Sequence, residues 1–286
     1  MTVRTLLGLI LFVLAVLLGT ILDRRWTPPA PPDPTVMVAD LHIHPYPGDG
    51  SLPVWELQHE ARRRGLNVIG ITGHNNRLGL KLGEWLRLDS GEAMVIPGQE
   101  ITAPDFHLVA IGTRDPVDWR LKAVEAIEAI QAQGGVAIAA HPVSRSWRPA
   151  DHDTLAALDG AEVAHGPTKR PYDPADDEYL QFFSKAQIIN PGVAPIGSSD
   201  FHMTAPLGFC RTFLFVEERS PAAVLDAVRR GRTVALDPQG RLFGSEEDIE
   251  RVREYLAATP IPGVSGLERI SAVFALLALA VLAYSR

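Results

Sequence analysis

The feature that most constrains this chain is an alternation. Between Val36 and Leu236, short apolar runs of strand length are separated by stretches with helical punctuation. Runs that fit buried strands are Val36–Ile43, Val68–Thr72, Ala93–Ile96, Leu108–Ile111, Val136–Ala140, Ala161–Ala164, Ala194–Ile196, Thr212–Val216 and Thr233–Leu236. Helices are expected over Val54–Arg64, stopped by Gly65, and over Trp119–Gln133, behind Asp118 as N-cap and stopped by Gly134-Gly135. Two more are expected over Pro221–Arg230, behind Ser220 and stopped by Gly231, and over Glu246–Ala258. Such alternation predicts an α/β fold, a parallel sheet with helices outside, closed most economically into a barrel. A composition of 46% apolar and 21% charged residues gives the chain enough grease for one core of that size and excludes disorder for most of it.

The grease is unevenly spread. From Leu6 to Leu22 the chain carries no charge, close to the shortest length that spans a bilayer as helix. Leu18-Gly19-Thr20-Ile21 offers no small-x-small cleavage site and Asp23-Arg24-Arg25-Trp26 reads as an interfacial stop, so residues 1–26 are expected to be an uncleaved membrane anchor. Ile270–Tyr284 is apolar on every side, unlike a helix packed on a globular surface, and residues 263–286 are expected to be a second membrane helix. Arg4 and the amino terminus oppose Arg24 and Arg25, and Arg269 opposes Arg286, so the positive-inside counts balance and favour neither orientation. The Pro-rich linker of residues 27–35, TPPAPPDPT, and the joint Thr259–Gly263 then bound a working domain of residues 36–262.

A net charge of −7 disfavours a nucleic-acid binder, which needs a basic face to replace phosphate counterions. The single cysteine, Cys210, excludes an internal disulfide and a Cys-rich zinc ribbon. Any bound metal must therefore be held by histidine and carboxylate, and the chain has nine histidines.

Their positions are not random. His42 and His44 close the first strand, His74 follows the second, Glu100 the third, His141 ends the Val136 run, and Asp200 with His202 follow the Ala194 run. His107 immediately precedes an apolar run. In a parallel barrel the carboxyl ends of the strands share one face, so these residues are expected to converge there. Residues i and i+2 of a strand project the same way, so His42 and His44 can reach one ion, and Asp200-x-His202 repeats the spacing. One histidine at a strand end is more often a hydrogen-bonded structural residue than a ligand; six, with two acids, shift that balance. His59, His152 and His165 fall outside the pattern, His59 as a surface helix residue.

The motifs around these residues resemble the PHP (polymerase and histidinol phosphatase) family. Asp40-Leu41-His42-Ile43-His44-Pro45 followed by Gly48-Asp49-Gly50-Ser51-Leu52-Pro53 resembles its opening, D-x-H-x-H-T…S-D-G-x-L-x-P. Ile71-Thr72-Gly73-His74-Asn75 is similar to T-D-H-[DN], Pro97-Gly98-Gln99-Glu100 to P-G-x-E, and His107-Leu108-Val109 to H-x-L. Ala140-His141-Pro142 resembles A-H-P, Gly197-Ser198-Ser199-Asp200-Phe201-His202 resembles G-S-D-x-H, and Gly231-Arg232-Thr233 the G-R-T of a small phosphoesterase-like branch. The resemblance runs in the family's order from residue 38 to about 237.

It implies a distorted (β/α)7 TIM-like barrel holding two or three divalent ions, with Zn, Mn or Fe all compatible with the ligand types. Carried over residue by residue, His42, His44, Glu100 and Asp200 would hold the first ion, Glu100, His107 and His141 the second, and Asp49, His74 and His202 the third. The bare pattern reads Asp49-Gly50 as an ordinary turn. Gly73 stands where the family has an aspartate that could orient His74, which bears on the third ion alone; Thr72 or Asn75 is the expected substitute.

Ions sharing Glu100 would acidify a bridging water for attack on an ester. Asp200 is expected to accept a proton, and His202 or His74 to donate one to the leaving group. Arg145 and Arg148, just after His141-Pro142, are candidates for binding a substrate anion, with Lys169, Arg170 and Arg77 as others. Glu162 and His165 fall where the family has E-x-x-N, and His165 is expected to bind substrate or to act as a structural hydrogen bonder. The expectation is a membrane-tethered, metal-dependent phosphoesterase acting on a small or lipid-linked phosphoester, with no nucleic-acid partner. The alternatives are hydrolysis of carboxylic or carbamate esters at the same site, or a non-catalytic metal-binding scaffold.

Overall fold

Each apolar run expected to be a strand contributes to one. The computed structural model describes residues 3–25, 33–86, 91, 93–143, 147–148, 150–165, 174–203, 206–261 and 266–284. In chain order the elements are α1 (Val3–Arg25), β1 (Val36–Ile43), α2 (Val54–Arg63), β2 (Val68–Ile71), α3 (Leu78–Leu86), β3 (Met94–Thr102) and β4 (His107–Ile111). They continue with α4 (Ala123–Gln131), β5 (Val136–Ala139), α5 (His152–Ala157), β6 (Gly160–His165), α6 (Pro174–Ile189), β7 (Ala194–Ser198) and β8 (Arg211–Phe215). The last are α7 (Pro221–Arg229), β9 (Thr233–Leu236), β10 (Leu242–Phe243), α8 (Glu246–Ala258) and α9 (Gly266–Ala283). The chain divides into two compact units, Ala30–Pro260 and the paired termini Met1–Pro29 and Ile261–Arg286.

In the larger unit the strands form one sheet, ordered β10-β9-β8-β1-β2-β3-β4-β5-β6-β7. The pairs β1–β2, β2–β3, β5–β6 and β6–β7 are parallel. β4 runs antiparallel between β3 and β5, and β8 antiparallel beside β1. The two flanks of the sheet are stitched together by side chains. Thr212 Oγ1 of β8 accepts from Gly197 N of β7 and donates to the Gly197 carbonyl, both at 2.9 Å, and Thr233 Oγ1 of β9 donates to Pro195 O at 2.9 Å. The sheet is thus a nearly closed, distorted barrel whose departures from all-parallel pairing are the antiparallel strands.

All eight residues of β1 are buried, which is why its run is continuously apolar up to Asp40. Val36 and Val38 pack with Leu57 of α2 and Tyr255 of α8, whereas Met37, Ala39 and Leu41 pack with Val109, Ile138, Ile196 and Leu214 of other strands. Each large aliphatic residue buried on either side contributes about 1.5–3 kcal/mol. The barrel can therefore carry a polar centre at one end.

Local departures have local causes. α4 begins at Ala123 rather than Trp119, because Asp118 accepts from Arg120 N at 3.0 Å in its own turn while Lys122 N donates to the Glu125 carboxylate at 3.0 Å. α3 escapes a reading from propensity because Gly79 and Gly83 interrupt it; its Gly79 face packs on Pro45.

In the terminal unit, α1 and α9 pack antiparallel. Gly8 lies against Leu282, Gly19 against Ser271, and Ser271 Oγ donates to Ala15 O at 3.1 Å. Leu9, Phe12, Val13, Val16, Leu276 and Leu279 are exposed. Among the described residues no helix is long and apolar enough to cross a membrane, so the two expected spans lack that support. Most of the Pro-rich linker, residues 27–32, and Pro262-Gly263 of the second joint lie outside the described residues.

Candidate metal centre

The chain brings its histidines together because each follows a strand that ends on the same rim. His42 and His44 sit on either side of the end of β1, where the register with β2 shifts between Asp40 and Ile43. His74 bridges to Glu100 beside the end of β2, and Phe201, between Asp200 and His202, bridges to Ile43. His107 begins its strand yet reaches the same rim, because β4 is antiparallel to β3 and pairs it with Thr102. Asn75, His141 and Asp200 adopt left-handed backbone, with φ of 47°, 30° and 48°. Non-glycine residues in that region cost about 1–3 kcal/mol each and cluster where a site demands a particular aim.

Four atoms converge at the centre. His42 Nε2 and His44 Nε2 are 3.1 Å apart. Glu100 Oε2 is 3.5 and 3.4 Å from them, and Asp200 Oδ1 is 3.3 and 3.0 Å from them. A tetrahedral ion with bonds of about 2.0–2.1 Å spaces its ligand atoms about 3.3–3.4 Å apart. The Nδ1 atoms of both histidines face carboxylates, His42 at 2.9 Å from Glu162 Oε1 and His44 at 3.2 Å from Asp49 Oδ1, so both Nε2 atoms are the ones turned to the centre. Two imidazole nitrogens and two carboxylate oxygens therefore face one another, and Glu100 Oε2 and Asp200 Oδ1 are buried without a hydrogen-bond partner. That arrangement fits a divalent cation.

Glu100 also reaches the other way. Its Oε1 lies 2.8 Å from His107 Nδ1 and 3.1 Å from His141 Nε2, a second set of ligand atoms. A third set surrounds Asp49, whose Oδ2 is 3.2 Å from His74 Nε2 and 3.1 Å from His202 Nε2. His202 donates its Nδ1–H to the Asp200 carbonyl at 2.9 Å.

The charges are mutually supporting. Burial alone would push Glu100, Glu162 and Asp200 up, but the histidines around them hold each carboxyl below its ordinary range, Glu100 well below. Burial would lower His42, yet Asp200, Glu162 and Glu100 hold it well above its ordinary value. His74 and His165 are raised for the same reason by Glu100 and Glu162 respectively, whereas burial keeps His44 and His141 low.

All nine expected ligands, His42, His44, Asp49, His74, Glu100, His107, His141, Asp200 and His202, occur in overlapping groups of facing ligand atoms, and a further group joins His42 to Glu162 and His165. The expected substrate group does not assemble in the same way. Arg145, Lys169 and Arg170 lie outside the described residues. Arg148 lines a separate surface hollow with Lys185 and Phe182, and Arg77 donates to the Arg114 carbonyl. His165 is built into the centre, with Nδ1 3.1 Å from Glu162 Oε2 and Nε2 3.6 Å from Asp200 Oδ2.

Three supporting residues were given no role from the sequence, although Asp40 and Glu162 lie within the quoted motifs. Glu162, fully buried, holds His42 and accepts from His141 N at 2.6 Å. Asp40, also fully buried, accepts from Ser199 N at 3.1 Å, Ser199 Oγ at 2.5 Å and Gly208 N at 2.8 Å, fixing the loop that carries Asp200. Thr102 Oγ1 is 2.6 Å from His74 Nδ1. Neither expected substitute at that nitrogen serves. Thr72 bonds the Ile43 backbone, and Asn75 clamps the Thr102 backbone through two 2.9 Å bonds. Each of the three supporters belongs to a strand or strand end, where polar identity at a buried position was the available signal.

The fold is shared with solved structures. A two-domain protein of Bacteroides vulgatus containing a predicted PHP-like metal-dependent phosphoesterase superposes with a TM-score of 0.62 at 24% identity, over 81% of this chain and 74% of that one. PsfC of Pseudomonas syringae superposes with a TM-score of 0.53 at 15% identity, over 78% and 98%. Together with the ordered motifs, this is a PHP-like fold carrying a histidine and carboxylate centre whose donor atoms fit divalent ions. No family model matches the chain. An uncharacterized protein of Methanocaldococcus jannaschii is 34% identical over 121 residues, 38% of this chain and 69% of its own length, and the chain belongs to the family that includes it. A phosphoribosyl 1,2-cyclic phosphate 1,2-diphosphodiesterase of Eggerthella lenta is 30% identical over 89 residues, 28% of this chain; the match spans only 32% of that enzyme.

Proposed function

We propose that the chain is a metal-dependent phosphoesterase. The observation that carries this reading is Glu100, whose Oε2 faces His42, His44 and Asp200 while its Oε1 faces His107 and His141. One buried carboxylate serving two ligand sets is what a pair of adjacent ions requires and what a scaffold has no use for. Divalent ions bound there would polarise a phosphoryl oxygen and acidify water. The chain's own part is positional. Asp200 turns Oδ1 to the centre and Oδ2 toward His165, so the second oxygen lies outside the first ligand set and is the one that would exchange a proton. His202 and His74, both partly exposed and both flanking Asp49, would hand a proton to a leaving group when they are not engaged as ligands. The PHP-like fold and the partial match to a phosphodiesterase favour phosphoesters over carboxylic esters.

Full-length protein loaded with Mn²⁺ or Zn²⁺ should hydrolyse an aryl phosphate monoester or diester, lose that activity on chelation, and lose it with metal content reduced in Glu100→Gln. Turnover of an aryl acetate alone would replace this reading with carboxylic-ester hydrolysis. Bound metal with no turnover of either would leave a scaffold.

We further infer that the α1–α9 pair tethers the protein to lipid. Its helices meet through Gly8, Gly19 and Ser271 and turn large apolar side chains outward, an arrangement suited to hydrocarbon, where close packing of small residues rather than burial of large ones drives association. Co-flotation with phosphatidylcholine and phosphatidylglycerol vesicles should be lost when Phe12 and Leu276 are replaced by Lys; flotation unchanged by those substitutions would overturn it.

A further inference from the structure

Gly73 gives His74 no carboxylate neighbour, yet His74 is held. Its Nδ1 lies 2.6 Å from Thr102 Oγ1 in hydrogen-bonding geometry. Glu100 Oε2 is equally near that nitrogen but is left without a hydrogen-bond partner, consistent with an oxygen aimed into the first ligand set. Thr102 is itself fixed from outside the centre. Asn75, in left-handed backbone, accepts from Thr102 N and donates to Thr102 O, both at 2.9 Å, and the β3–β4 pairing sets Thr102 opposite His107. Only the hydroxyl is left to face His74.

We propose that Thr102 is the positioning residue of the third ligand set, its hydroxyl taking the Nδ1–H of His74 so that Nε2 is presented as a lone pair beside Asp49 and His202. His202 is matched to the same task by a different acceptor, the Asp200 carbonyl. The two histidines that flank Asp49 thus each have one nitrogen on a neutral oxygen and the other turned to Asp49 Oδ2. A tautomer fixed in this way makes a histidine a ready ligand, and loss of such an orienting partner typically costs about ten- to a hundredfold in metal affinity. The space at residue 73 remains open. A Cβ there would meet Asn76 O at 3.4 Å and Pro45 Cδ at 3.7 Å, ordinary contacts, so a carboxylate has room at this position.

The inference rests on the metal-dependent reading above, and metal counts separate the two. Zn²⁺ stoichiometry of the full-length protein, measured by mass spectrometry after dialysis and by calorimetric titration, should be three for the wild type and two for Thr102→Val. The third-site affinity should fall about ten- to a hundredfold. Thr102→Ser, which keeps the hydroxyl, should hold three, and Gly73→Asp placed in the Thr102→Val background should restore the third. Because Asn75 grips only the backbone of residue 102, the melting temperature of the metal-free variants should match the wild type. Three ions bound at wild-type affinity in Thr102→Val, or a third ion lost in Thr102→Ser, would overturn the proposal. Two ions in the wild type would also overturn it while leaving the phosphoesterase reading intact, and no ion at all would remove both.

Discussion

Glu162 Oε1 sits 2.9 Å from His42 Nδ1, behind a ring whose Nε2 faces the centre, and both side chains are wholly buried. The carboxylate decides which nitrogen of His42 carries the proton. It also accepts from His141 N through its other oxygen, so one residue of β6 orients ligands from two different sets.

Replacing Glu162 by Gln should therefore weaken the first ion by about ten- to a hundredfold while leaving the fold intact, since the amide fills the same volume. Metal titration of the variant beside the wild type measures this. Equal affinities would show that the His42 tautomer is fixed elsewhere.

Metal loading should release protons. His42, His74 and His165 are held above their ordinary value of 6.5 by the carboxylates around them, so at neutral pH the metal-free centre stores protons that an ion must displace. The sign for stability follows. Raised folded values mean that these histidines stabilise the metal-free protein fully below pH 6.5 and lose that contribution as pH rises through their folded values. Zinc affinity should climb between pH 6 and 8, and calorimetry in two buffers of different ionisation enthalpy should register net proton release. An affinity flat over that interval would contradict the electrostatics.

Asp40→Ala should be severe although Asp40 reaches no side chain of an expected ligand, meeting His42 through its backbone N at 3.4 Å. Burial pushes its carboxyl up to about 6, and the residue accepts from Ser199 N, Ser199 Oγ and Gly208 N. Truncation strands those donors in the interior, at a cost on the order of 3 kcal/mol. Urea unfolding of the metal-free variant reads the loss directly. A cost below about 1 kcal/mol, within the range of ordinary surface substitutions, would mean that the loop holding Asp200 is fixed by other contacts.

Gly50→Ala should disable the third ligand set. A Cβ at residue 50 would fall 1.7 Å from the His44 carbonyl oxygen, so the turn must open and carry the adjacent Asp49 away from His74 and His202. The variant should bind one ion fewer than the wild type. An unchanged count would require a backbone path at this turn that the present geometry does not allow.

Much of this protein was legible before folding. Buried strands advertise themselves as apolar runs, and the clustering of histidines and acids at their ends marked eight of the nine expected ligands, while Asp49 was named through the motif resemblance alone. What a linear pattern does not carry is direction and opposition. Nothing in the run from His107 to Ile111 says that β4 is antiparallel, and only that reversal explains how a histidine at the start of a strand reaches the rim where others end. Residue 73 looked like a defect when read alone; the remedy, Thr102, lies 29 positions onward in another strand and comes to His74 through sheet pairing. Glu162 and Asp40 gained their roles in the same way, by facing groups 120 and 159 residues distant. Residue types and their periodicity determined that a barrel with a metal-ready rim would form. Which oxygen steadies which histidine was decided by tertiary contact, because hydrogen bonds depend on angle and distance in space.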